Sequence, residues 1–359
     1  MSELQELTGP VEIIGTGLLG TSVALACRRA GLDVLLSDRN ADHVRTASGL
    51  GAGRPRQAGD RPQLVVVATP PSTLGAVIAD ALEQTETYGA VVTDVGSVKG
   101  APLQVLAERT DLGRYVGSHP MAGSERSGPL AASASLFDGR PWAITPHAAS
   151  DPAATALVTA LVELCGGVPL SFTPDDHDRA VARTSHVPHL MAVLMAGRLA
   201  EAPEGHLRLS GQGVRDVTRI AAGDPALYGQ IVAGNAGAVT ALLTEVRTQL
   251  DGLIDAVSAG DDVALAAVLQ QGVRGTRAIP AKHGGPVVAM GSLFVAVPDQ
   301  AGELARLFAD AGEIGVNIED VRIDHDPGRQ VGQVELVVAL DEAERMLSAL
   351  ESRGWAIHR

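Results

Sequence analysis

The sequence predicts an α/β fold of the doubly wound kind over its first half, then an all-helical segment, then a small α+β unit. Three observations predict it. Short apolar runs alternate with amphipathic helical stretches as far as residue 172. A glycine-rich turn, Gly15-Thr16-Gly17-Leu18-Leu19-Gly20, joins the first run to the first helical stretch. From Thr173 to Ala281 long Ala- and Leu-rich segments dominate, and alternating strand patterns return only beyond residue 287.

Val11 to Ile14, Val34 to Leu36, Leu64 to Ala68 and Val91 to Thr93 read as buried parallel strands. Leu18 to Ala30 and Thr73 to Gln84 read as the helices between them, and strands alternating with helices imply a doubly wound sheet. The pattern continues through Trp142 to Thr145 and ends near Val168–Phe172, which bounds a Rossmann-type domain at residues 1–172. Residues 173–283 form the predicted helical domain. Within it Val239 to Val257 carries apolar positions at helical spacing, and the apolar surface is a candidate dimer interface. Lys282-His283-Gly284-Gly285-Pro286 reads as a linker. Residues 287–359 then read as strand, helix, strand, strand, helix, strand. The pieces are Ser292–Val297, Gly302–Ala311, Ile318–Asp324, Gly332–Leu340, Asp341–Arg353 and Trp355–His358, in the split βαβ, ferredoxin-like order.

A chain of 359 residues is long for one core, which agrees with this division. Hydrophobic residues make up 45% and aromatics only 3%, so the cores are built from Ala, Val, Leu and Ile. A formal charge of −14 argues against a nucleic-acid partner, because phosphate contacts need a basic surface. A small anion remains possible where Arg and His gather locally. Cys27 and Cys165 both sit in apolar contexts, so neither a disulfide framework nor a zinc site is expected. The N-terminal stretch has no basic n-region and no apolar h-region, so it does not read as a signal peptide. No apolar run approaches the roughly 18 residues of a membrane span. The expected location is the cytoplasm, with no membrane partner.

The glycine turn follows a strand and opens a helix, the context in which GxGxxG binds a dinucleotide. Gly15 permits the tight turn, Gly17 lets backbone approach a pyrophosphate, and Gly20 lets helix and strand pack closely. The helix start at Leu18 and Leu19 offers free N–H groups and a positive dipole end to the phosphates. Asp38 ends the second strand, placed to accept the adenosine ribose hydroxyls and to repel a 2′-phosphate. That favours NAD over NADP, although Arg39 follows directly and softens the choice. A plain glycine turn and an FAD site are the weaker alternatives. Thr69 and Pro70 end the next central strand, where ligands of doubly wound folds sit, so they are expected to line the nicotinamide side.

Two more strand ends carry polar clusters that face the same crevice. Asp94-Val95-Gly96-Ser97-Val98-Lys99 follows Val91–Thr93, and Gly117-Ser118-His119-Pro120-Met121-Ala122-Gly123 follows a short segment ending in Val116. A histidine suits the base for alcohol oxidation, because its pKa lies near working pH. His119 is the candidate, with a nearby serine hydroxyl to fix its tautomer. In the helical domain, His186 and His189 stand three apart and share a face if the helix runs through Pro188. A metal pair is the alternative reading, but the usual carboxylate partner is missing, so no metal is expected. Arg215 and Arg219 stand four apart on one helical face and suit a carboxylate ligand. Pairing with Asp216 or Asp224, or plain solvation, is the alternative.

Together these segments resemble the prephenate and arogenate dehydrogenase family. The matching stretches are GTGLLG (15–20), DVGSVKG (94–100), GSHPMAGSERSG (117–128), HD (177–178), SHVPH (185–189) and RDVTRIAAGDPALY (215–228), and they cover residues 10 to about 280. The resemblance implies that His119 accepts the hydrogen bond of the substrate's ring hydroxyl and that Ser97 orients His119. It implies Ser185 and His189 as lining of the substrate pocket, and Arg219, ahead of Arg215, as holder of a substrate carboxylate. Tyr228 stands where related sequences often carry Trp. Asp94 belongs with the cofactor residues in this reading. The C-terminal segment resembles an ACT domain, with Asp299 and Ala301 before its first helix and Asn317 and Ile318 before its second strand. ACT domains commonly bind amino acids, so feedback by tyrosine is implied; a purely structural or dimerising role is the alternative.

The expected reaction is therefore oxidation and decarboxylation of prephenate to 4-hydroxyphenylpyruvate, on the route to tyrosine, by a homodimer. Arogenate is the rival substrate. The 3-hydroxyacid dehydrogenases pair a similar nucleotide domain with a helical one, but they rely on a lysine there, and residues 173–281 contain none. A non-catalytic NAD- or tyrosine-sensing protein is the rival from another class.

Overall fold

The computed structural model describes residues 6–123, 127–280, 289–325 and 331–359. The expected linker at 282–286 lies outside them, as do residues 124–126 of the GSHPMAGSERSG stretch. The chain divides into two compact units, Met1–Gly252 and Leu253–Arg359.

The first unit opens with β1 (Val11–Ile14), α1 (Leu18–Arg29), β2 (Val34–Ser37), α2 (Ala41–Gly49), β3 (Arg54–Pro55), β4 (Leu64–Val67), α3 (Pro71–Gln84), β5 (Val91–Asp94), α4 (Gly100–Val105), β6 (Tyr115–Pro120), β7 (Pro141–Thr145), α5 (Pro152–Leu164) and β8 (Val168–Ser171). The strands form a sheet in the order β3-β2-β1-β4-β5-β6-β7-β8. Alternate residues of one strand feed opposite cores. Leu64 and Val66 of β4 pack with α1 and α5, whereas Val65 and Val67 pack with Leu74, Ile78 and Leu82 of α3. A sheet covered on both faces needs apolar side chains at successive positions, which is why its strands read as unbroken apolar runs.

Two features differ from the sequence reading. The two-residue β3 is too short to leave a pattern. The β6 strand does not stop at Val116 but continues to Pro120, so His119 is part of the strand. It pairs antiparallel with β7, placing His119 opposite Ala143, while the other neighbouring strands of this sheet run parallel. A parallel return needs a long crossover, usually a helix. Between β6 and β7 the described residues form only a short 3-10 turn, Pro129–Ala131.

The helices that follow are α6 (Pro174–Val181), a π-helical turn at Ala182–His186, α7 (Val187–Ala200), α8 (Glu204–Leu207), α9 (Gln212–Thr218), a 3-10 turn at Arg219–Ala222, α10 (Pro225–Gly234), α11 (Ala236–Ala259) and α12 (Asp262–Arg277). Their starts are chemically marked. Thr173 accepts the Asp176 N–H before Pro174 opens α6, and Asp224 accepts the Ala226 N–H before Pro225 opens α10. Both combine a polar cap with proline at the first turn. Ala182, Val187 and Val239 are buried together, with Leu190, Met191, Leu242 and Leu243 packed around them. The division between the two units falls within α11. Among the described residues no single helix is long and apolar enough to cross a membrane.

The second unit ends in β9 (Met290–Pro298), α13 (Glu303–Ile314), β10 (Asp320–His325), β11 (Val331–Ala339), α14 (Ala343–Ser352) and β12 (Ala356–His358). The strands form an antiparallel sheet in the order β10-β11-β9-β12. Leu293, Val295 and Val297 alternate inward on β9 and meet Leu307 of α13 and Met346 and Leu350 of α14. The order of elements is the one read from the sequence.

Candidate active site

The glycine turn is shaped by contacts that exclude a side chain at two of its three glycines. Gly15 has a φ of +100°, and a Cβ there would lie 2.5 Å from the Ala68 carbonyl oxygen. At Gly20 a Cβ would run into the Gly15 carbonyl and lie 3.0 Å from both Ala68 Cβ and Ile13 Cγ2. Gly17 differs, for a Cβ there meets nothing within 4 Å. The space over Gly17 is thus open at the start of α1, which has no side-chain cap. Uncapped N–H groups with open space before them suit a phosphate. At the end of β4 the Thr69 hydroxyl is buried without a hydrogen-bond partner among the described residues. The Gly15 Cβ position is 3.2 Å from the Thr69 nitrogen, so this orphaned hydroxyl adjoins the turn. Pro70 follows as the residue preceding α3. These residues fit a dinucleotide: backbone for its phosphates and an unsatisfied hydroxyl at the strand end beyond.

Asp38 lies just past β2, and its carboxylate is already engaged. Oδ2 accepts the Thr16 N–H at 2.7 Å and its hydroxyl at 3.1 Å, while Oδ1 accepts the Asn40 N–H at 2.8 Å. Asp38 therefore braces the glycine turn. Arg39 beside it is exposed.

Asp94 is expected among the cofactor residues, and its side chain is engaged within the protein. It ends β5, as a cofactor ligand would, but its carboxylate is fully buried and turned inward. It is paired with the Lys99 ammonium and also accepts the Tyr115 hydroxyl at 2.9 Å and the Gly96 N–H at 2.9 Å. The Lys99 ammonium also donates to the Ser118 carbonyl at 2.7 Å. Burial pushes the lysine's pKa below its ordinary value, and the Asp94 carboxylate opposes that. The cluster stiffens β5 and β6 where they approach the site; it does not offer a side chain to a ligand.

His119 sits on β6 next to this cluster. Its Nδ1 lies 2.9 Å from Nε2 of His177, and Nδ1 of His177 lies 2.9 Å from Oδ1 of Asp178. Burial holds the His119 pKa well below the usual 6.5, and His177, Lys99 and His186 push the same way. The imidazole is thus neutral at physiological pH. Among the described residues nothing partners its Nε2. The resemblance gave the orienting role to Ser97; in the structure Ser97 makes no hydrogen bond among the described residues, and His177 holds the ring. The His177-Asp178 pair stood in the sequence as a motif without a role. An acidic residue following a histidine near a helix start was the available signal.

Asp178 is itself fixed. It accepts the backbone N–H groups of Lys99 at 2.9 Å and Gly100 at 2.8 Å, so a side chain from α6 caps the start of α4. Burial tends to raise its pKa, but the bonds from His177, Gly100 and Lys99 outweigh it and hold the carboxyl below its ordinary value. The Asn235 amide donates to the Asp178 carbonyl at 2.7 Å and reaches His186 Nδ1 at 3.2 Å. His186 is buried, and desolvation lowers its pKa to about 4.

The helix does run on through Pro188, with a π-helical turn before it, yet His186 and His189 go to different partners. His186 meets Asn235, whereas His189 stacks on Tyr228 with ring centroids 3.4 Å apart. His189 is buried, its pKa lowered by that burial, and its Nδ1 has no partner among the described residues. Ser185 is exposed on the π-helical turn, a feature frequent at functional sites. Arg215 lies on α9, while Arg219 opens the 3-10 turn, so the pair does not share one continuous helical face. Both are exposed, and among the described residues neither forms an ion pair. Asp216 bonds Gln212, and Asp224 caps α10.

A family model described as "Prephenate dehydrogenase, nucleotide-binding domain" matches residues 23–170, and one described as "Prephenate dehydrogenase, dimerization domain" matches residues 173–271. The chain is 36% identical over 355 residues to the Streptomyces niveus protein named "Probable prephenate dehydrogenase NovF", covering 96% of this chain and 98% of that one. Among solved structures, the prephenate dehydrogenase of A. aeolicus in complex with hydroxyphenyl propionate and NAD+ superposes with a TM-score of 0.68 at 28% identity, over 77% of this chain and 99% of that one. Synechocystis arogenate dehydrogenase gives a TM-score of 0.62 at 28% identity, over 74% and 99%.

Proposed function

The chain belongs to the prephenate dehydrogenase family, and on that premise we propose that it oxidises and decarboxylates prephenate to 4-hydroxyphenylpyruvate with NAD. The observation that carries this reading is His119: a neutral imidazole whose Nε2 has no partner among the described residues, two strands along the sheet from the end of β4. When bound, NAD would supply the acceptor for the hydride of ring C4 of the substrate. His119 Nε2 accepts the proton of the C4 hydroxyl as that hydride leaves. Cleavage of the bond to the ring carboxylate then releases CO2, and its electron pair restores aromaticity. The proton held on His119 returns to the phenolic oxygen.

Arg219 holds the side-chain carboxylate in this reading, with Arg215 beside it in sequence; both guanidiniums are exposed and free of ion pairs among the described residues. Ser185 and His189 line the pocket, and Tyr228 backs His189. Gly15, Gly17, Leu18, Leu19 and Gly20 hold the pyrophosphate, and Thr69 and Pro70 flank the nicotinamide. Ser97, half-buried on the loop after β5, makes no hydrogen bond among the described residues, and in this reading its hydroxyl supports His119 once substrate is bound. Holding the reacting groups in register supplies several kcal/mol of the rate enhancement. Arogenate is the second reading, supported by the likeness to the Synechocystis enzyme.

We place the domain boundaries at 1–172, 173–283 and 287–359. The helical domain forms a homodimer in this proposal, supported by the family description and by exposed Leu250, Ile254, Val257, Val263 and Leu269 on α11 and α12. The βαββαβ unit is proposed as an ACT domain that binds tyrosine near Asp299, Ala301, Asn317 and Ile318. Its support is the β10-β11-β9-β12 order and the left-handed Gly302 that opens α13 beside Asp299. One assay tests these points together: NADH formation with prephenate or arogenate, with NAD or NADP, with and without tyrosine. Faster turnover of prephenate with NAD, suppressed by tyrosine, is expected. A preference for arogenate moves the substrate, and silence on both removes the enzymatic reading.

A further inference from the structure

We propose that His177 and Asp178 are positioning residues, which form a fixed relay that keeps the His119 proton on Nδ1 and leaves the Nε2 lone pair facing the substrate hydroxyl. The inference rests on the reading of His119 as the base. The chain of donors begins at Asp178. Its carboxylate accepts two backbone N–H groups from the start of α4, at 2.9 and 2.8 Å, so it is held in place whatever the ring beside it does. An ionised carboxylate only accepts hydrogen bonds. His177 Nδ1, 2.9 Å from Oδ1, is therefore the donor, and in the neutral ring its Nε2 carries the lone pair. That lone pair lies 2.9 Å from His119 Nδ1, which must then bring the proton. In the opposite tautomer two ring lone pairs would face each other.

The relay also answers an electrostatic problem. Burial and the nearby Lys99 ammonium oppose a positive charge on His119. When the substrate's O–H bond breaks and its proton joins Nε2, the imidazolium needs an anion within reach. Asp178 supplies it through His177, and Asn235 anchors the Asp178 backbone on the far side at 2.7 Å. The electrons of the C4–H bond leave as hydride to the oxidised nicotinamide, so no other oxidant is required. Orientation of a catalytic histidine through a second group raises rates by up to about 10⁴-fold where tautomer control is lost on its removal.

The test compares His177→Leu, which removes the acceptor, with His177→Gln, whose side-chain oxygen can take the place of Nε2. For His177→Leu we expect kcat to fall about 100-fold with KM little changed, and for His177→Gln a recovery of about tenfold or more. In parallel, 15N NMR of the histidine-labelled full chain reads the tautomer of His119 directly. The proton is expected on Nδ1 in the parent and in His177→Gln, and redistributed in His177→Leu. A His177→Leu variant with near-parental kcat, or a parent His119 protonated on Nε2 alone, overturns the relay. Should the parent oxidise neither prephenate nor arogenate, the functional reading fails, while the NMR result still decides the relay.

Discussion

The ring of His189 lies flat against Tyr228, with planes 7° from parallel and centroids 3.4 Å apart. Gly223 lies against the same ring, since a Cβ there would come within 2.8 Å of Tyr228 Cε2. Tyr228 thus clamps a buried histidine from α10 while leaving its Nδ1 without a partner among the described residues. Aromatic stacking of this kind contributes about 0.5–1.5 kcal/mol beyond area burial. Tyr228→Ala should loosen His189 and raise KM for the substrate several-fold, whereas Tyr228→Trp should preserve it. Steady-state kinetics on both variants checks this, and equal KM values would detach Tyr228 from the pocket.

The three glycines of the turn should separate by experiment. Gly20→Ala brings a methyl into the Gly15 carbonyl and should lower the thermal midpoint. Gly17→Ala meets no protein atom, so stability should be unchanged. A methyl over the uncapped start of α1 should nonetheless raise the Kd for NAD by about tenfold or more, because backbone approach to the pyrophosphate is lost. Calorimetric titration with NAD, beside thermal melts, distinguishes the two.

The Lys99–Asp94 pair is buried on both sides. Lys99→Met would strand an uncompensated carboxylate among Tyr115 and apolar neighbours. Removing one partner of such a pair costs about 3–5 kcal/mol. The urea midpoint should drop accordingly. A neutral result would mean that Asp94 takes up a proton without penalty.

His119 must be unprotonated to act as a base, and its folded pKa is depressed well below 6.5. Activity should therefore persist below the ordinary histidine range and decline only as pH falls through that depressed value. His119→Asn should remove most of kcat with little change in NAD binding. A pH profile of kcat/KM that falls already near 6.5 would contradict the burial argument, and near-parental turnover of His119→Asn would dismiss it as the base.

Much of this was legible in the sequence, for physical reasons that can be named. The β1-turn-α1 unit declares itself because Gly15 and Gly20 answer separate steric demands, Gly17 keeps the helix start open, and a strand and helix flank the turn. The buried strands show as continuous apolar runs because helices cover both sheet faces. Buried Cys27 and Cys165 follow from their apolar surroundings. Other features are set by contacts between distant residues. The end of β6 depends on pairing with β7, so a local reading stops at Val116 and leaves His119 on a loop. The orientation of His119 is decided 58 positions away in sequence, at His177. Asp94 looks the same from sequence whether its carboxylate faces a ligand or a buried lysine. The break between Arg215 and Arg219 arises where α9 tightens into a 3-10 turn, which four-residue spacing does not show.

The most direct measurement follows the products of a single reaction mixture of purified protein, prephenate and NAD. NADH, CO2 and 4-hydroxyphenylpyruvate should appear together, one for one, and all three should vanish in His119→Asn. Formation of NADH without CO2, or of CO2 without NADH, would contradict a coupled oxidation and decarboxylation at His119.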